Sequence, residues 1–149
     1  MGLNANLIKE LREKSGAGIV DCKNALLQND NDIDKSIDWL RKKGLSVAAK
    51  KSGRVAAEGL VGVHIDNNEA CLIEINSETD FVSRNEQFQK FVNDCSKIAT
   101  TTDGDLDSLL QSKFINSDNS VEDELTKNIA TIGENLKIRR IETVSYTHL

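Results

Sequence analysis

The apolar residues in the first fifty positions recur at intervals of three and four, which is the period of an α-helix. Leu7 and Leu11 lie on one face of a first predicted helix. Gly16 and Gly18 end that helix, because glycine adopts a positive φ at little cost. A second predicted helix covers residues 19–28. The opening of the chain is therefore predicted to be all-helical.

A third apolar stripe begins at Ile33 and includes Leu40. Gly44 follows three basic residues, an arrangement typical of a helix C-terminus, so we predict that the third helix ends there. Helices this short cannot hold a core alone, so we expect them to pack as a three-helix bundle over residues 1–50. Residues 51–57 are predicted to form a linker.

Beyond the linker the apolar period changes to two, which indicates β-strands. Val61, Val63 and Ile65 alternate with other residues in a first strand, and residues 71–75 alternate in a second. The asparagines at 67–68 mark the turn between them. We expect the three large apolar residues of the first strand to line the inner face of the sheet.

The register of this predicted hairpin depends on the length of its turn. A two-residue turn would place Val61 opposite Glu74, whereas a three-residue turn over residues 67–69 places Val61 opposite Ile75. A slip of one residue moves every side chain of a strand to the other face. The better apolar match favours the three-residue turn.

The helical period returns after the hairpin. Ser83 and Glu86 have the spacing of a capping box, which predicts the start of a helix. One face of this helix carries Phe88, Phe91, Val92, Cys95 and Ile98. Further helices and a third strand are predicted at 106–110, 121–132 and 136–144. Residues 58–149 are thus predicted to form an antiparallel β-sheet packed with helices, and the fold class of the whole chain is α+β.

The net charge of −5 is unevenly distributed along the chain. Residues 1–53 carry 10 basic and 7 acidic residues, a net charge of +3, whereas residues 54–149 carry 9 basic and 17 acidic residues, a net charge of −8. Neither part has the dense basic patch that nucleic-acid binding usually needs. No apolar stretch approaches the length that spans a membrane. We therefore expect neither a nucleic-acid partner nor a membrane association.

Candidate catalytic and metal-binding residues are few. The two histidines, His64 and His148, have no serine or cysteine nucleophile at a recognisable motif spacing. The three cysteines form no zinc or redox motif, so reduced thiols in a cytosol-like compartment are expected. A thiol enzyme that uses Cys71 or Cys95 is disfavoured because both lie on apolar faces. No phosphate-binding loop is present, so direct nucleotide binding by that route is not expected.

Residues 78–82, with the sequence Glu-Thr-Asp-Phe-Val, place a large aromatic beside two acids between the hairpin and the next helix. In one interpretation Phe81 folds back as a hydrophobic plug beneath the helix that contains Phe88. The pattern alone favours this plug, because aromatic residues usually end in cores. In the other interpretation Phe81 is an exposed wedge that inserts into a pocket of a partner protein.

Three motifs together resemble the elongation factor Ts family. The first is Gly16-Ala17-Gly18-Ile19-Val20-Asp21-Cys22-Lys23-Asn24-Ala25-Leu26. The second is Glu78-Thr79-Asp80-Phe81-Val82, and the third is Ile132-Gly133-Glu134-Asn135 followed by Ile138-Arg139-Arg140. They occur in family order and at family-like spacing, and the match covers nearly all of the chain.

The resemblance implies a guanine nucleotide exchange factor that is not an enzyme, needs no cofactor and acts in the cytoplasm. Its implied partner is the GDP-bound translational GTPase elongation factor Tu. Residues 1–50 resemble a ubiquitin-associated type domain, which in this family docks on that GTPase. Members of the family continue with a second, related α+β half, so the resemblance also implies that residues 58–149 are the first half of a longer core.

The resemblance also implies which residues contact the partner. The segment that dislodges magnesium from the GTPase corresponds to Thr79, Asp80, Phe81 and Val82. Asp80 and Phe81 correspond to the intruding pair, which favours the wedge over the plug. Secondary partner contacts are implied at Lys23, Ile132, Gly133 and His148. The alternative is a protein-binding module that uses the three-helix domain and has no effect on nucleotide exchange.

Overall fold

A computed structural model describes residues 4–146, and within them it contains six α-helices and one three-stranded antiparallel sheet. The predicted α+β class is therefore confirmed. The helices are α1 (Ala5–Ser15), α2 (Ile19–Gln28), α3 (Ile33–Lys51), α4 (Glu86–Ala99), α5 (Leu106–Gln111) and α6 (Val121–Ile132). The strands are β1 (Glu58–Asp66), β2 (Glu69–Ser77) and β3 (Lys137–Ser145), and the sheet order is β1-β2-β3. Within the described part of the chain, no helix is both long and apolar enough to cross a bilayer.

The chain divides into two compact units, a helical unit of residues 1–50 and a sheet unit of residues 51–149. The core of the helical unit is formed by the buried side chains of Leu11, Cys22, Ala25 and Leu26. Partly buried apolar residues of α1 and α3, together with Ala17 between α1 and α2, pack against this core. The helical unit therefore buries the apolar stripes that its sequence predicts.

The start and stop of the first helix follow the expected local chemistry. Asn4 caps α1 by accepting a hydrogen bond from the Asn6 backbone N–H over 2.9 Å. Gly16 ends the helix with a φ of 68°, and its N–H donates to the Arg12 carbonyl. This left-handed conformation is the one that glycine adopts without strain.

The predicted stop of the third helix at Gly44 is wrong, because α3 continues through Gly44 to Lys51. One interior glycine costs only about 1 kcal/mol of helix stability. The residues that follow it include two alanines and two lysines, which are good helix formers. Lys43 in the basic run donates to Asp21 of α2 over 2.6 Å and lies 5.3 Å from the centre of the Trp39 ring.

The sheet unit buries its core between one face of the sheet and α4. Ile73 and Ile75 of β2 are fully buried, as are Phe88 and Cys95 of α4. The apolar stripe predicted for this helix is therefore confirmed as its core-facing side. The third strand is also confirmed, and it pairs antiparallel with β2.

The predicted hairpin register is wrong. The turn contains two residues, so Asp66 pairs with Glu69 and Val61 pairs with Glu74. Val61, Val63 and Ile65 lie on the outer face, where they are 62%, 54% and 69% exposed. The inner face of β1 carries Leu60, Gly62 and His64. A side chain at Gly62 would lie only 2.8 Å from Val92 Cγ1, so the close approach of α4 requires glycine there.

The start of α4 also differs from the predicted capping box. Asn85, rather than Ser83, caps the helix, and its Oδ1 accepts from the Phe88 backbone N–H over 3.0 Å. The Ser83 hydroxyl instead donates to the Gly59 carbonyl over 3.0 Å. Ser83 is held in a single 3₁₀ turn, Val82–Arg84, which separates β2 from α4.

Candidate partner-binding site

The segment from Thr79 to Val82 leaves the end of β2 and enters the 3₁₀ turn. Its four side chains lie in different environments. Phe81 is 76% exposed and Asp80 is also exposed, whereas Thr79 is half-buried and Val82 is 6% exposed. The segment therefore presents Asp80 and Phe81 to solvent between two residues that point toward the protein.

The interpretation of Phe81 as a hydrophobic plug is wrong. Phe88 is fully buried, and Val82 is the residue of the segment that enters the core. Val82, the neighbour of Phe81, therefore fills the position in the core, and the ring of Phe81 is left exposed to solvent. An exposed phenylalanine on a loop presents apolar area for contact with a partner, since Phe is enriched at protein interfaces.

The chain entering the segment is held by Glu134, which follows the C-terminus of α6. Glu134 Oε2 accepts hydrogen bonds from the backbone N–H groups of Glu78 and Thr79, each over 3.0 Å. Its other oxygen, Oε1, accepts from the Thr79 hydroxyl over 2.6 Å. A carboxylate accepts such bonds more strongly than a neutral oxygen does. The two backbone groups that precede Asp80 are therefore fixed.

A second acid makes the reciprocal contact. Glu78 Oε1 accepts from the Asn135 backbone N–H over 2.6 Å and lies 3.6 Å from Arg54 Nη1. The Asn135 side-chain amide in turn donates to the Arg54 carbonyl over 2.8 Å. The loop after β2 and the loop after α6 thus each supply a carboxylate to the backbone of the other. Both loops also contact Arg54, which lies near the start of the sheet unit.

The chain leaving the segment is held by the 3₁₀ turn. The backbone N–H of Ser83 donates to the Asp80 carbonyl over 3.2 Å, and that of Arg84 donates to the Phe81 carbonyl over 3.1 Å. The Ser83 hydroxyl bonds β1 through Gly59. Because hydrogen bonds fix the backbone on both sides, the exposed pair is held by a rigid frame.

The other residues that the resemblance implies are placed as follows. Ile132 ends α6 and is half-buried, and Gly133 is exposed with a φ of 86°. Contacts of Glu134 bring this turn beside the Thr79 segment. Lys23 is exposed on α2 in the helical unit. His148 lies outside the described residues.

Glu78 and Glu134 lie in the second and third family motifs, but they were not predicted from the sequence to be site residues. Their interactions join backbone and side-chain groups 55 to 57 positions apart. No periodicity or local spacing in the sequence signals such a contact. The available signal was that each acid lies in a motif to which the family resemblance assigns partner contacts.

Cys71 and Cys95 are buried, and their environments are unlike that of a reactive thiol. Burial raises the pKa of Cys95 strongly, and the neighbouring carboxylates of Asp94 and Glu124 raise it further. Burial also raises the pKa of Cys71. A reactive cysteine needs a lowered pKa and access to solvent. In the described part of the chain, no group of three or more His, Cys, Asp and Glu side chains is placed to hold a metal ion.

Comparison with known proteins gives one consistent family. Residues 78–148 match the family model described as Elongation factor TS. The chain is 50% identical over 143 residues to the elongation factor Ts of Parvibaculum lavamentivorans, covering 96% of this chain and 46% of that protein. It is 52% identical over 139 residues to that of Methylorubrum populi, covering 93% and 45%. It is 54% identical over 138 residues to that of Azorhizobium caulinodans, again covering 93% and 45%.

The chain spans about half the length of the curated relatives it matches. The similarity nevertheless extends over both units, because each alignment covers at least 93% of the chain. The family model itself covers the Thr79 segment and the Gly133 turn that lie together in the structure. On these similarities, the chain belongs to the elongation factor Ts family.

Proposed function

We propose that this chain acts in the cytoplasm as a guanine nucleotide exchange factor that promotes GDP release from elongation factor Tu during translation elongation. The observation that carries the proposal is the exposed ring of Phe81 beside Asp80, on a segment whose backbone is held on both sides. Membership of the elongation factor Ts family supports the choice of partner.

The proposed mechanism is physical and forms no covalent bond. A GTPase holds GDP through backbone N–H groups around the phosphates and through a magnesium ion that neutralises their charge. In the proposal, Phe81 inserts between elements of the GTPase and shifts that phosphate cradle. Asp80 attracts backbone N–H groups away from the phosphates, and its negative charge repels the negatively charged nucleotide. Magnesium and GDP are then bound less tightly.

The rigid frame around Phe81 supports this mechanism. A flexible loop would lose conformational entropy on insertion, and that cost would be subtracted from the free energy available to distort the GTPase. The coupling is also reciprocal. The factor by which this chain weakens GDP binding to elongation factor Tu equals the factor by which bound GDP weakens the binding of this chain to elongation factor Tu. A coupling free energy of about 4 kcal/mol corresponds to roughly a thousandfold change in affinity.

The test is the rate at which a fluorescent GDP analogue leaves elongation factor Tu as the concentration of this chain is increased. The proposal predicts a saturable acceleration, and it predicts tighter binding to nucleotide-free than to GDP-bound elongation factor Tu. Binding that leaves the release rate unchanged would contradict exchange activity of this chain. An absence of binding would contradict the proposed partner.

The alternative is a protein-binding module without exchange activity. It is favoured by one observation, the exposed apolar residues of α2, where Ile19, Val20 and Leu27 are 56%, 69% and 58% exposed. This alternative predicts a complex whose affinity does not depend on the bound nucleotide. The comparison of GDP-bound and nucleotide-free elongation factor Tu therefore separates the two functions.

A further inference from the structure

The hydrogen bonds of Glu134 are concentrated on a single target, the backbone immediately before Asp80. One carboxylate oxygen accepts two consecutive backbone N–H groups, and the other accepts the Thr79 hydroxyl. The Thr79 carbonyl is also held, because the Ser77 hydroxyl donates to it over 2.9 Å. Thr79 is therefore fixed through its N–H, its side chain and its carbonyl.

The direction in which Phe81 leaves the protein depends on this fixation. Val82 is buried and Thr79 is bonded to Glu134, so only two residues, Asp80 and Phe81, lie between these fixed points. A span this short has little conformational freedom when both of its ends are held. Without the Glu134 carboxylate, the N–H groups of Glu78 and Thr79 and the Thr79 hydroxyl would lose their acceptor, leaving the bond from the Ser77 hydroxyl to hold the Thr79 carbonyl. The upstream end would therefore be held less firmly.

We propose that Glu134 is a positioning residue that holds Asp80 and Phe81 in their exposed arrangement and makes no essential contact with the partner through its own carboxylate. In the experiments that use elongation factor Tu, this proposal rests on the exchange function proposed above. A separate readout, the amide protection of the isolated chain, does not depend on that function.

The variants differ in the hydrogen bonds they keep. Glu134→Ala removes every acceptor, whereas Glu134→Gln keeps one acceptor oxygen for the two N–H groups and can donate to the Thr79 hydroxyl. Asp118→Ala is the control, since it removes the same charge from a fully exposed side chain that forms a surface ion pair with Lys113. All three are compared with the unmodified chain in thermal stability and by nuclear magnetic resonance.

The first readout is amide hydrogen exchange in the isolated chain. Glu134→Ala is expected to raise the exchange rates of the Glu78 and Thr79 amides at least tenfold, whereas Glu134→Gln raises them less and Asp118→Ala leaves them unchanged. Because these amides are local probes, the protection of core amides in β2 serves as the internal reference. Unchanged protection of Glu78 and Thr79 in Glu134→Ala would overturn the positioning role, whatever the chain does to elongation factor Tu.

The second readout is a double-mutant comparison of GDP release with Phe81→Ala. If Glu134 acts through Asp80 and Phe81, Glu134→Ala lowers the stimulated rate at least tenfold when it is the only substitution, and by a clearly smaller factor in Phe81→Ala, where only Asp80 remains to be positioned. Glu134→Gln is expected to recover part of the rate. Independent, multiplicative losses would overturn the proposal, because they would mean that the effect of Glu134 does not pass through Phe81. If the unmodified chain fails to accelerate release, the exchange function fails, and the amide readout still decides the positioning role.

Discussion

Phe81 and Phe88 flank the same 3₁₀ turn, yet Phe81 is 76% exposed while Phe88 is completely buried. Both residues are aromatic and close in sequence, so hydrophobicity alone does not distinguish them. What separates them is the backbone between them, in which Val82 enters the core and Asn85 caps α4. One phenylalanine therefore contributes to stability, and the other is available to a partner.

This contrast predicts opposite effects of alanine substitution on stability. Phe88→Ala should cost about 3–5 kcal/mol of unfolding free energy, because it leaves a cavity in the core. Phe81→Ala should change the unfolding free energy by no more than about 0.5 kcal/mol, as is usual for exposed positions. Urea denaturation followed by circular dichroism measures both. A large loss of stability in Phe81→Ala would restore the plug interpretation.

The register of β1 predicts a clash at Gly62. A Cβ atom there would lie 2.8 Å from Val92 Cγ1 and 2.9 Å from Ile73 Cγ2, which is closer than such atoms pack. Gly62→Ala should therefore lose about 1–3 kcal/mol, the usual cost of overpacking. Gly53→Ala is the control, because a Cβ at Gly53 meets no atom within 4 Å. Equal stability of the two variants would argue against the two-residue turn.

The sequence predicted the elements better than their pairing. The apolar face of α4 could be predicted from the sequence because only one side of that helix is apolar. The register of β1 was not, because Val61, Val63 and Ile65 form an apolar row on the outer face. The inner face carries Gly62, whose role in admitting α4 produces no hydrophobic signal. A rule that assigns the larger side chains to the core selects the wrong face in such a strand.

Glu74 predicts a specific acid sensitivity. Hydrogen bonds donated by Asn76, Arg139 and Arg140 hold the pKa of Glu74 below its ordinary value of 4.5, and the bond from Asn76 has the largest effect. A carboxylate with a lowered folded-state pKa stabilises the protein above the unfolded-state value, and this contribution is lost as the pH falls through the folded-state pKa. Glu74→Gln should therefore be less stable than the unmodified chain at pH 7, and the gap should close below pH 4.5.

Melting temperatures measured between pH 7 and pH 3 test this prediction. Glu142→Gln makes the same chemical change on the outer face of the neighbouring strand and serves as its control. A gap between Glu74→Gln and the unmodified chain that stays constant, or widens, on acidification would contradict the assignment. So would a variant as stable as the unmodified chain at pH 7.

The buried thiols predict resistance to alkylation. Because burial raises the pKa of Cys71 and of Cys95, both remain protonated thiols at pH 8, and the thiolate is the reactive form. Iodoacetamide at pH 8 should therefore label neither residue in the folded chain over a time that suffices for full labelling in 6 M guanidinium, a concentration on the order of that used to unfold small domains. Mass spectrometry of digested samples distinguishes the sites. Rapid labelling of either residue in the folded chain would revive the thiol-enzyme alternative.

The candidate site was only partly accessible from the sequence. The family resemblance identified Asp80 and Phe81, whereas pattern alone placed Phe81 in the core. The frame that holds them was not predicted, because Glu134 reaches Thr79 across 55 positions and the fold alone determines that approach. Capping was misassigned for a related reason, since Ser83 has a distant acceptor at Gly59 and leaves the helix end to Asn85.

In the proposed exchange reaction, Phe81 drives nucleotide release from elongation factor Tu. The most direct test measures the release of a fluorescent GDP analogue from elongation factor Tu with the unmodified chain, with Phe81→Ala, and with Leu72→Ala. Leu72 is a matched control because it is 50% exposed on the outer face of the sheet. We predict that Phe81→Ala loses at least ten-fold, about 1.4 kcal/mol, of the acceleration while Leu72→Ala keeps it. Equal acceleration by Phe81→Ala and the unmodified chain would show that Phe81 does not drive nucleotide release.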